Sequence, residues 1–332
     1  MNTKRRRNGG GGFIAAAVGL VLLAGGAAWC ASDAIRVTLR HSGDAQCLVG
    51  EPIVLDVALE TDAEGALTVT LPPQVGQAPL MIEVCGPGEA EWRVYQPPST
   101  LSLMVPLRAP LAADGAIRLR GILATMETDD RAGANPFVLA LPGAYRFRAR
   151  FTVDSGDGGK PASGWPAVVS NEVQVTVGAP ADRDAEALAL WLAALQRAAF
   201  DLGSLDQSDE AVAALVADHP DTVYGRHARS ALAKRGALPE STLQGRSQEA
   251  CRQAILEDLY LNAPDFALRD EVMLDLARAY RSAQRYSDGA AVLGELLAEY
   301  PDSPLAEEAA ERKPWYERYA EDAERAAARE AR

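Results

Sequence analysis

A phrase that ends one helix and opens the next occurs three times in the second half of this chain. Leu215-Val216-Ala217-Asp218-His219-Pro220-Asp221-Thr222 is followed by Leu259-Tyr260-Leu261-Asn262-Ala263-Pro264-Asp265-Phe266, and then by Leu296-Leu297-Ala298-Glu299-Tyr300-Pro301-Asp302-Ser303. In each, apolar residues close one helix face. The proline withholds the amide hydrogen that a helix needs to continue. The Asp, Thr or Ser after it can cap the next helix by accepting its free amides. Ser303 directly before Pro304 is a good instance, because proline suits the first helical position. A helix-stop phrase repeated at this spacing predicts helix pairs stacked on one another, since a single pair cannot bury its apolar face alone.

A shift in composition marks where the stack begins. Glycine and proline thin out after Ala179-Pro180, while alanine, leucine and charged residues rise. The expected division is 1–32, 33–178 and 179–332, in keeping with roughly 150 residues per domain. Residues 185–200 read as an amphipathic helix. Two more helices, 223–235 and 247–262, flank a loop that carries Gly236, Pro239 and Gly245. A last helix runs from Pro304, and its end at 321–332 is almost all charge and alanine.

Residues 33–178 alternate apolar and polar side chains instead. The pattern is clear at 35–39, 53–59 and 67–71, with further runs at 81–84, 92–95, 101–105, 117–120, 145–151 and 172–177. Period two marks strands with one buried face. Gly50-Glu51-Pro52 and Asp62-Ala63-Glu64-Gly65 supply turns. Many short strands joined by turns predict an antiparallel β-sandwich. In Tyr145-Arg146-Phe147-Arg148-Ala149-Arg150-Phe151 the arginines share one face, either an anion-binding stripe or a solvated sheet surface. Asp154-Ser155-Gly156-Asp157-Gly158-Gly159 lacks the closing acidic ligand of a calcium loop and reads as a strand connection.

Two resemblances follow from particular residues. Val49-Gly50-Glu51-Pro52-Ile53, Leu141-Pro142-Gly143-Ala144-Tyr145 and Ser170-Asn171-Glu172-Val173 resemble the immunoglobulin-like domains of exported bacterial proteins. That likeness implies a structural role for Tyr145, whose phenol would bond back to the backbone and pin a crossover. Residues 270–303 resemble a tetratricopeptide repeat: Met273, Leu276, Ala277 and Tyr280 on the first helix, Tyr286 and Gly289 at the turn and helix contact, then Leu293, Leu296 and Pro301. Residues 189–222 keep Leu192, Leu195, Val212, Leu215 and Pro220. The resemblance implies a concave groove lined by first helices, with Glu271, Leu274, Arg278 and Arg281 at its exposed positions. Arg278 and Arg281 lie three apart and so share a face. They are candidates to clamp a carboxylate of a peptide partner, or else ordinary surface charge.

The N-terminus reads as an export signal. Lys4-Arg5-Arg6-Arg7 precedes an uncharged apolar run at 13–29, the layout of a secretory signal. The run falls short of the about 20 residues of a full membrane span. Three fates are open: cleavage near residues 30–32, which is favoured; retention as an anchor; or lipid attachment at Cys30. Each places the body outside the cytoplasm, in the periplasm or at the cell surface. Cys47 and Cys85 fall in the same domain and are either a disulfide or two buried thiols. Cys251 reads as a small core residue.

Charge and motif narrow the functions. A net charge of −13 repels nucleic acid. The three histidines form no metal-ligand pattern with cysteine, and no nucleophile elbow, HExxH or phosphate-binding glycine loop occurs. The expectation is an exported, non-enzymatic interaction or scaffold protein of the bacterial cell envelope. It would bind a protein or peptide partner through the helical groove or the sandwich surface. It needs no cofactor and meets the membrane only through its N-terminal segment. An extracytoplasmic ligand-binding or protease-inhibitor module is the alternative. A hydrolase of unfamiliar type is a third reading.

Overall fold

A computed structural model describes residues 35–43, 46–62, 67–72, 75, 79–95, 107–112, 115–123, 141–152, 167–198, 202–236, 238–243 and 245–330. The export segment at 1–32 with Cys30, the strand expected at 101–105 and the loop at 154–159 lie outside them.

The first part of the chain is sheet. Its strands are β1 (Ile35–Ser42), β2 (Gln46–Leu48), β3 (Ile53–Thr61), β4 (Leu67–Leu71), β5 (Leu80–Cys85), β6 (Arg93–Tyr95), β7 (Leu107–Leu111), β8 (Ala116–Leu123), β9 (Gly143–Thr152), β10 (Ala167–Val169) and β11 (Val173–Gly178). They form a three-stranded sheet in the order β1-β3-β8 and a six-stranded sheet in the order β2-β11-β9-β5-β6, with β10 on β9. β4 and β7 pair separately. The pairing is antiparallel except that β2 runs parallel to β11, a departure from the all-antiparallel expectation. β7 contains Pro110, which withholds a ladder hydrogen bond and hides the strand from a pattern reading.

The alternation decides which sides face inward. Ile53, Leu55, Val57 and Leu59 of β3 meet Leu80, Ile82 and Val84 of β5 and Tyr145, Phe147 and Phe151 of β9 in one apolar core. Burying each such side chain stabilises by about 1.5–3 kcal/mol. The Tyr145 hydroxyl donates to the Leu141 carbonyl at 3.0 Å.

The second part is helical: α1 (Asp182–Arg197), α2 (Glu210–Asp218), α3 (Val223–Arg235), α4 (Glu240–Leu243), α5 (Gln248–Asn262), α6 (Arg269–Ser282), α7 (Tyr286–Glu299) and α8 (Ala306–Glu330), with a 3-10 turn at Leu202–Ser204. The helix starts follow the capping chemistry. Thr222 accepts from the Gly225 amide at 3.1 Å, Ser247 from Ala250 at 3.2 Å and Asp209 from Ala211 at 2.8 Å. Ser303 accepts from Leu305 at 3.0 Å. Phe266, in the middle phrase, cannot cap, and α6 starts after Leu268 without a side-chain cap.

Packing runs along the sequence, α1 on α2, α2 on α3, α5 on α6, α6 on α7 and α7 on α8, with α3 reaching α5. Gly289 is the close contact of α7 with α8, beyond the hairpin it was expected to serve. A Cβ there would stand 2.5 Å from the Tyr316 ring. Tyr316 passes this notch and donates to the Ala277 carbonyl on α6 at 2.9 Å. α8 stays helical to Glu330 with its last turns exposed. Its pair Arg325–Glu321 (2.8 Å) has the i,i+4 spacing that supports an unpacked helix. Among the described residues no helix is long and apolar enough to cross a membrane.

Candidate interaction site

The sheet β1-β3-β8 has a second face, and the helices lie on it. Val54, between the inward Ile53 and Leu55, is fully buried in the helical core, and Ile122 of β8 packs there too. Two devices fix the contact.

The first is a turn held by aromatic residues. Gly50 adopts φ +84°, and a Cβ on it would meet Leu188 of α1 at 2.5 Å. Only glycine takes that backbone conformation at little cost. Its carbonyl accepts the Trp191 indole N–H at 2.8 Å. The Tyr224 hydroxyl of α3 donates to the Val49 carbonyl. Burial, then the charge of Glu51, pushes the Tyr224 phenol up, so it stays protonated as the donor. Glu51 closes the turn, its Oε2 accepting from the Leu48 amide at 2.9 Å. Behind it lies His227, 1% exposed. Its ring stands 4.8 Å from Phe266 and 6.2 Å from Trp191.

The second is a charge cluster. Arg120 of β8, opposite Asp56 of β3, donates to Asp56 at 2.7 and 2.9 Å and to Asp270 of α6 at 2.7 and 2.8 Å. The Ser303 hydroxyl adds a bond to Asp270 at 2.5 Å, and the Ser42 hydroxyl one to Asp56 at 2.5 Å. Burial works against the Arg120 charge. The bonds and charges of the two carboxylates outweigh it, so the guanidinium is held above its ordinary value. Arg40 pairs with Asp302 alongside. Asp302 and Ser303 belong to the third helix-ending phrase, which therefore also docks the helices on the sheet.

Between these devices the junction is hollow. One cavity of about 440 Å³ is walled by Glu51, Cys47, Asp184, Asp221, Arg226 and Asp265, among others. A second, of about 330 Å³, runs past Arg40, Asp56 and Arg120 to Glu299 and Asp302. They share His41, Asp265, Phe266 and Ala267 in their walls, so they lie side by side in the cleft between the sheet edge and the helix-ending loops.

The residues expected to line a concave groove sit elsewhere. Leu274 is 2% exposed and part of the core, which corrects its expected exposure: α6 has α5 and α7 on either side and the sheet at its N-terminal end. Glu271 bonds Lys234 at 2.8 Å and lies 3.6 Å from Arg120. Arg278 bonds Asp275 at 2.7 Å and Glu308 at 2.6 Å, so the guanidinium is already paired with two carboxylates within the chain. Burial pushes the Asp275 carboxyl up against the pull of Arg278. Arg281 is exposed.

Cys47 and Cys85 are buried free thiols, which corrects the disulfide alternative. Cys47 is on β2 and Cys85 on β5, with β11 and β9 between them. Three strand spacings put them about 14 Å apart, and a bridge needs Cα atoms within about 7 Å. Burial, then the charge of Glu51, raises the Cys47 pKa to about 12. The arginine stripe of β9 is answered within its own sheet. Arg148 bonds Glu83 at 2.6 Å, Arg146 lies 3.3 Å from Glu172, and both stack over Trp92. Among the described residues no group of three His, Cys, Asp or Glu is placed to hold a metal ion.

The sequence reading missed the junction. Glu51 was legible only as a turn residue and Trp191 only as one side of an amphipathic helix. Nothing in the sequence around His227 distinguishes it.

No protein-family model matches the chain, and no curated protein matches it. Solved structures share parts of it. A β-glucosidase from Erythrobacter marinus aligns over 43% of this chain and 15% of its own, at 9% identity and a TM-score of 0.26. The Pseudomonas fluorescens alkylpurine DNA glycosylase AlkC, bound to DNA with an abasic-site analogue, aligns over 43% and 30%, at 11% identity and 0.25. A CARDB domain from Pyrococcus furiosus, in complex with di-metal ions, aligns over 44% and 90%, at 13% identity and 0.23. The chain thus spans less than a third of the first two. With TM-scores this low, no function is carried over from any of them.

Proposed function

We propose that this chain is a non-enzymatic interaction protein of the bacterial cell envelope, exported by its first 32 residues, and that a protein or peptide partner docks in the junction cleft. The observation that carries the reading is a pair of adjacent cavities at the junction, with His41, Asp265, Phe266 and Ala267 in the walls of both. Clefts between packed units are favoured binding places. Here the wall comes from a rigid turn, a sheet edge and the loops that end helices.

The architecture in this reading is an immunoglobulin-like sandwich followed by a tetratricopeptide-like stack. The Tyr145–Leu141 bond supports the first. Packing of sequence-adjacent helices supports the second. The docking surface differs from the concave groove of the repeat resemblance, because Leu274 and Arg278 are already engaged. The non-enzymatic role is supported by the state of the reactive groups. The Cys47 thiol, with its pKa at about 12, is a poor nucleophile at neutral pH. Asp56 and Asp270 are both paired with Arg120.

A photo-crosslinking residue at Ala267, in the cleft, tests the reading against one at Leu141, which is 66% exposed and lines neither cavity. In envelope extract, a discrete adduct at 267 and none at 141 is the expected result. The same adducts at both positions, or none at 267, overturns the docking surface. Mass spectrometry of the mature N-terminus tests export and distinguishes cleavage from lipid attachment at Cys30.

A further inference from the structure

We propose that the larger junction cavity receives a cationic side chain, lysine or arginine, carried by an extended segment of the partner, with Glu51 as its principal carboxylate. The inference rests on the reading of the junction as the docking surface and specifies its chemistry.

Three observations lead to it. The wall of the cavity carries Glu51, Asp184, Asp221 and Asp265 against the single guanidinium of Arg226. The Arg226–Asp265 contact is long, 3.4 Å, and exposed on the Asp265 side. Asp221 has Arg183 at 4.0 Å, both largely solvated. Such pairs are worth under about 1 kcal/mol and yield readily to a better donor.

Glu51 is set in place before any ligand arrives. Its amide donates to the Leu48 carbonyl at 3.0 Å, and its Oε2 accepts from the Leu48 amide at 2.9 Å. The turn itself is pinned by Trp191 and Tyr224. A carboxylate already ordered costs little more entropy on binding.

The other oxygen is unspent. Among the described residues no hydrogen bond reaches Glu51 Oε1. The nearest group able to carry positive charge is His227 Nε2, at 3.8 Å and outside hydrogen-bond range. His227 is 1% exposed, and neither of its ring nitrogens has a hydrogen-bond partner. Glu51 itself lines the cavity, and its Oε1 is an acceptor with no hydrogen bond of its own. An ammonium or guanidinium placed there makes a charge-assisted hydrogen bond, stronger for being partly out of water. The net charge of −13 draws basic segments toward the surface.

The test is calorimetric titration of the full chain in mild detergent with a short lysine-bearing peptide and with its norleucine counterpart. The lysine peptide is expected to bind at least tenfold more tightly, and more weakly as salt rises. Glu51→Gln, which keeps an acceptor for the Leu48 amide, is expected to cost about tenfold. Asp221→Asn, at a site 77% exposed and away from the core, is expected to cost about threefold with unfolding unchanged. Equal binding of the two peptides overturns the proposal, as does wild-type affinity in both variants. If neither peptide binds while the crosslink at 267 still captures an envelope protein, the cationic pocket falls and the docking surface stands. If the crosslink fails as well, both fall.

Discussion

Arg120 and Asp270, separated by 150 residues in sequence, meet through two hydrogen bonds of 2.7 and 2.8 Å. The same guanidinium is bound to Asp56 on the neighbouring strand, so one side chain compensates two carboxylates from different parts of the chain. Its side chain is 9% exposed and that of Asp270 4%. Arg120→Ala strands both acids without a counter-charge, and loss of one member of a buried ion pair costs about 3–5 kcal/mol. The midpoint of urea unfolding is expected to fall accordingly. Adding Asp56→Asn and Asp270→Asn to Arg120→Met should recover much of that loss, because no charge is then left buried.

Asp209 gives a stability change that depends on acid. It caps α2 and is bonded to Arg197, which holds its carboxyl below the ordinary value against the opposing effect of burial. A depressed folded value means that the contribution is complete above the unfolded carboxylate value of about 4. It disappears as pH falls through the folded value. Asp209→Ala should cost about 1 kcal/mol at pH 7. That difference from wild type should shrink in strong acid, where the protonated side chain loses its pairing with Arg197 and keeps only the cap. Asp209→Asn keeps the cap and should cost less at neutral pH. Unfolding midpoints at pH 7 and pH 2.5 check both signs.

Gly289→Ala sets two effects against each other. Alanine favours a helix over glycine by about 1 kcal/mol. Its methyl group would press on the Tyr316 ring, 2.5 Å from the ideal Cβ position. That ring cannot retreat without giving up its bond to the Ala277 carbonyl. Overpacking of this kind costs about 1–3 kcal/mol, so the variant should be destabilised overall. Thermal unfolding of the single variant and of Gly289→Ala with Tyr316→Phe measures it. A part of the loss should return in the double variant, where the ring no longer has a hydrogen bond to keep.

Thiol chemistry checks the cysteines. Cys47, Cys85 and Cys251 are free and buried. Iodoacetamide at pH 8 should leave Cys47 almost untouched in the native chain, given its pKa of about 12, and alkylate it readily in guanidinium. The intact mass should not change on reduction. A mass gain of about 2 Da on reducing an unalkylated chain that lacks Cys30 would show a bridge and contradict the strand order.

Local pattern made much of the fold readable. The proline phrases end α2, α5 and α7, as their chemistry requires. The alternation over 145–151 gave β9, with its aromatic residues inward. The Tyr145 hydroxyl bonds to the backbone upstream. What escaped depends on neighbours that a local pattern cannot see. Leu274 is buried because α6 is flanked on several sides, while the repeat resemblance implied an open face there. Cys47 and Cys85 share a sheet, but their separation follows from the strand order, which sequence does not state. Glu51, Trp191, Tyr224 and His227 each look ordinary in their own segment. They form a site only because a turn near residue 50 enters a gap between helices built from residues beyond 180.

Val54 gives the two halves a common fate. Its neighbours on β3 fill the sheet core while it fills the helical one, so a single strand is a load shared between two hydrophobic masses. Heat should therefore dismantle the chain in one cooperative step, not as two separate melts. Cutting it near residue 179 would leave a sheet with a raw greasy flank around Val54 and Ile122, prone to clump.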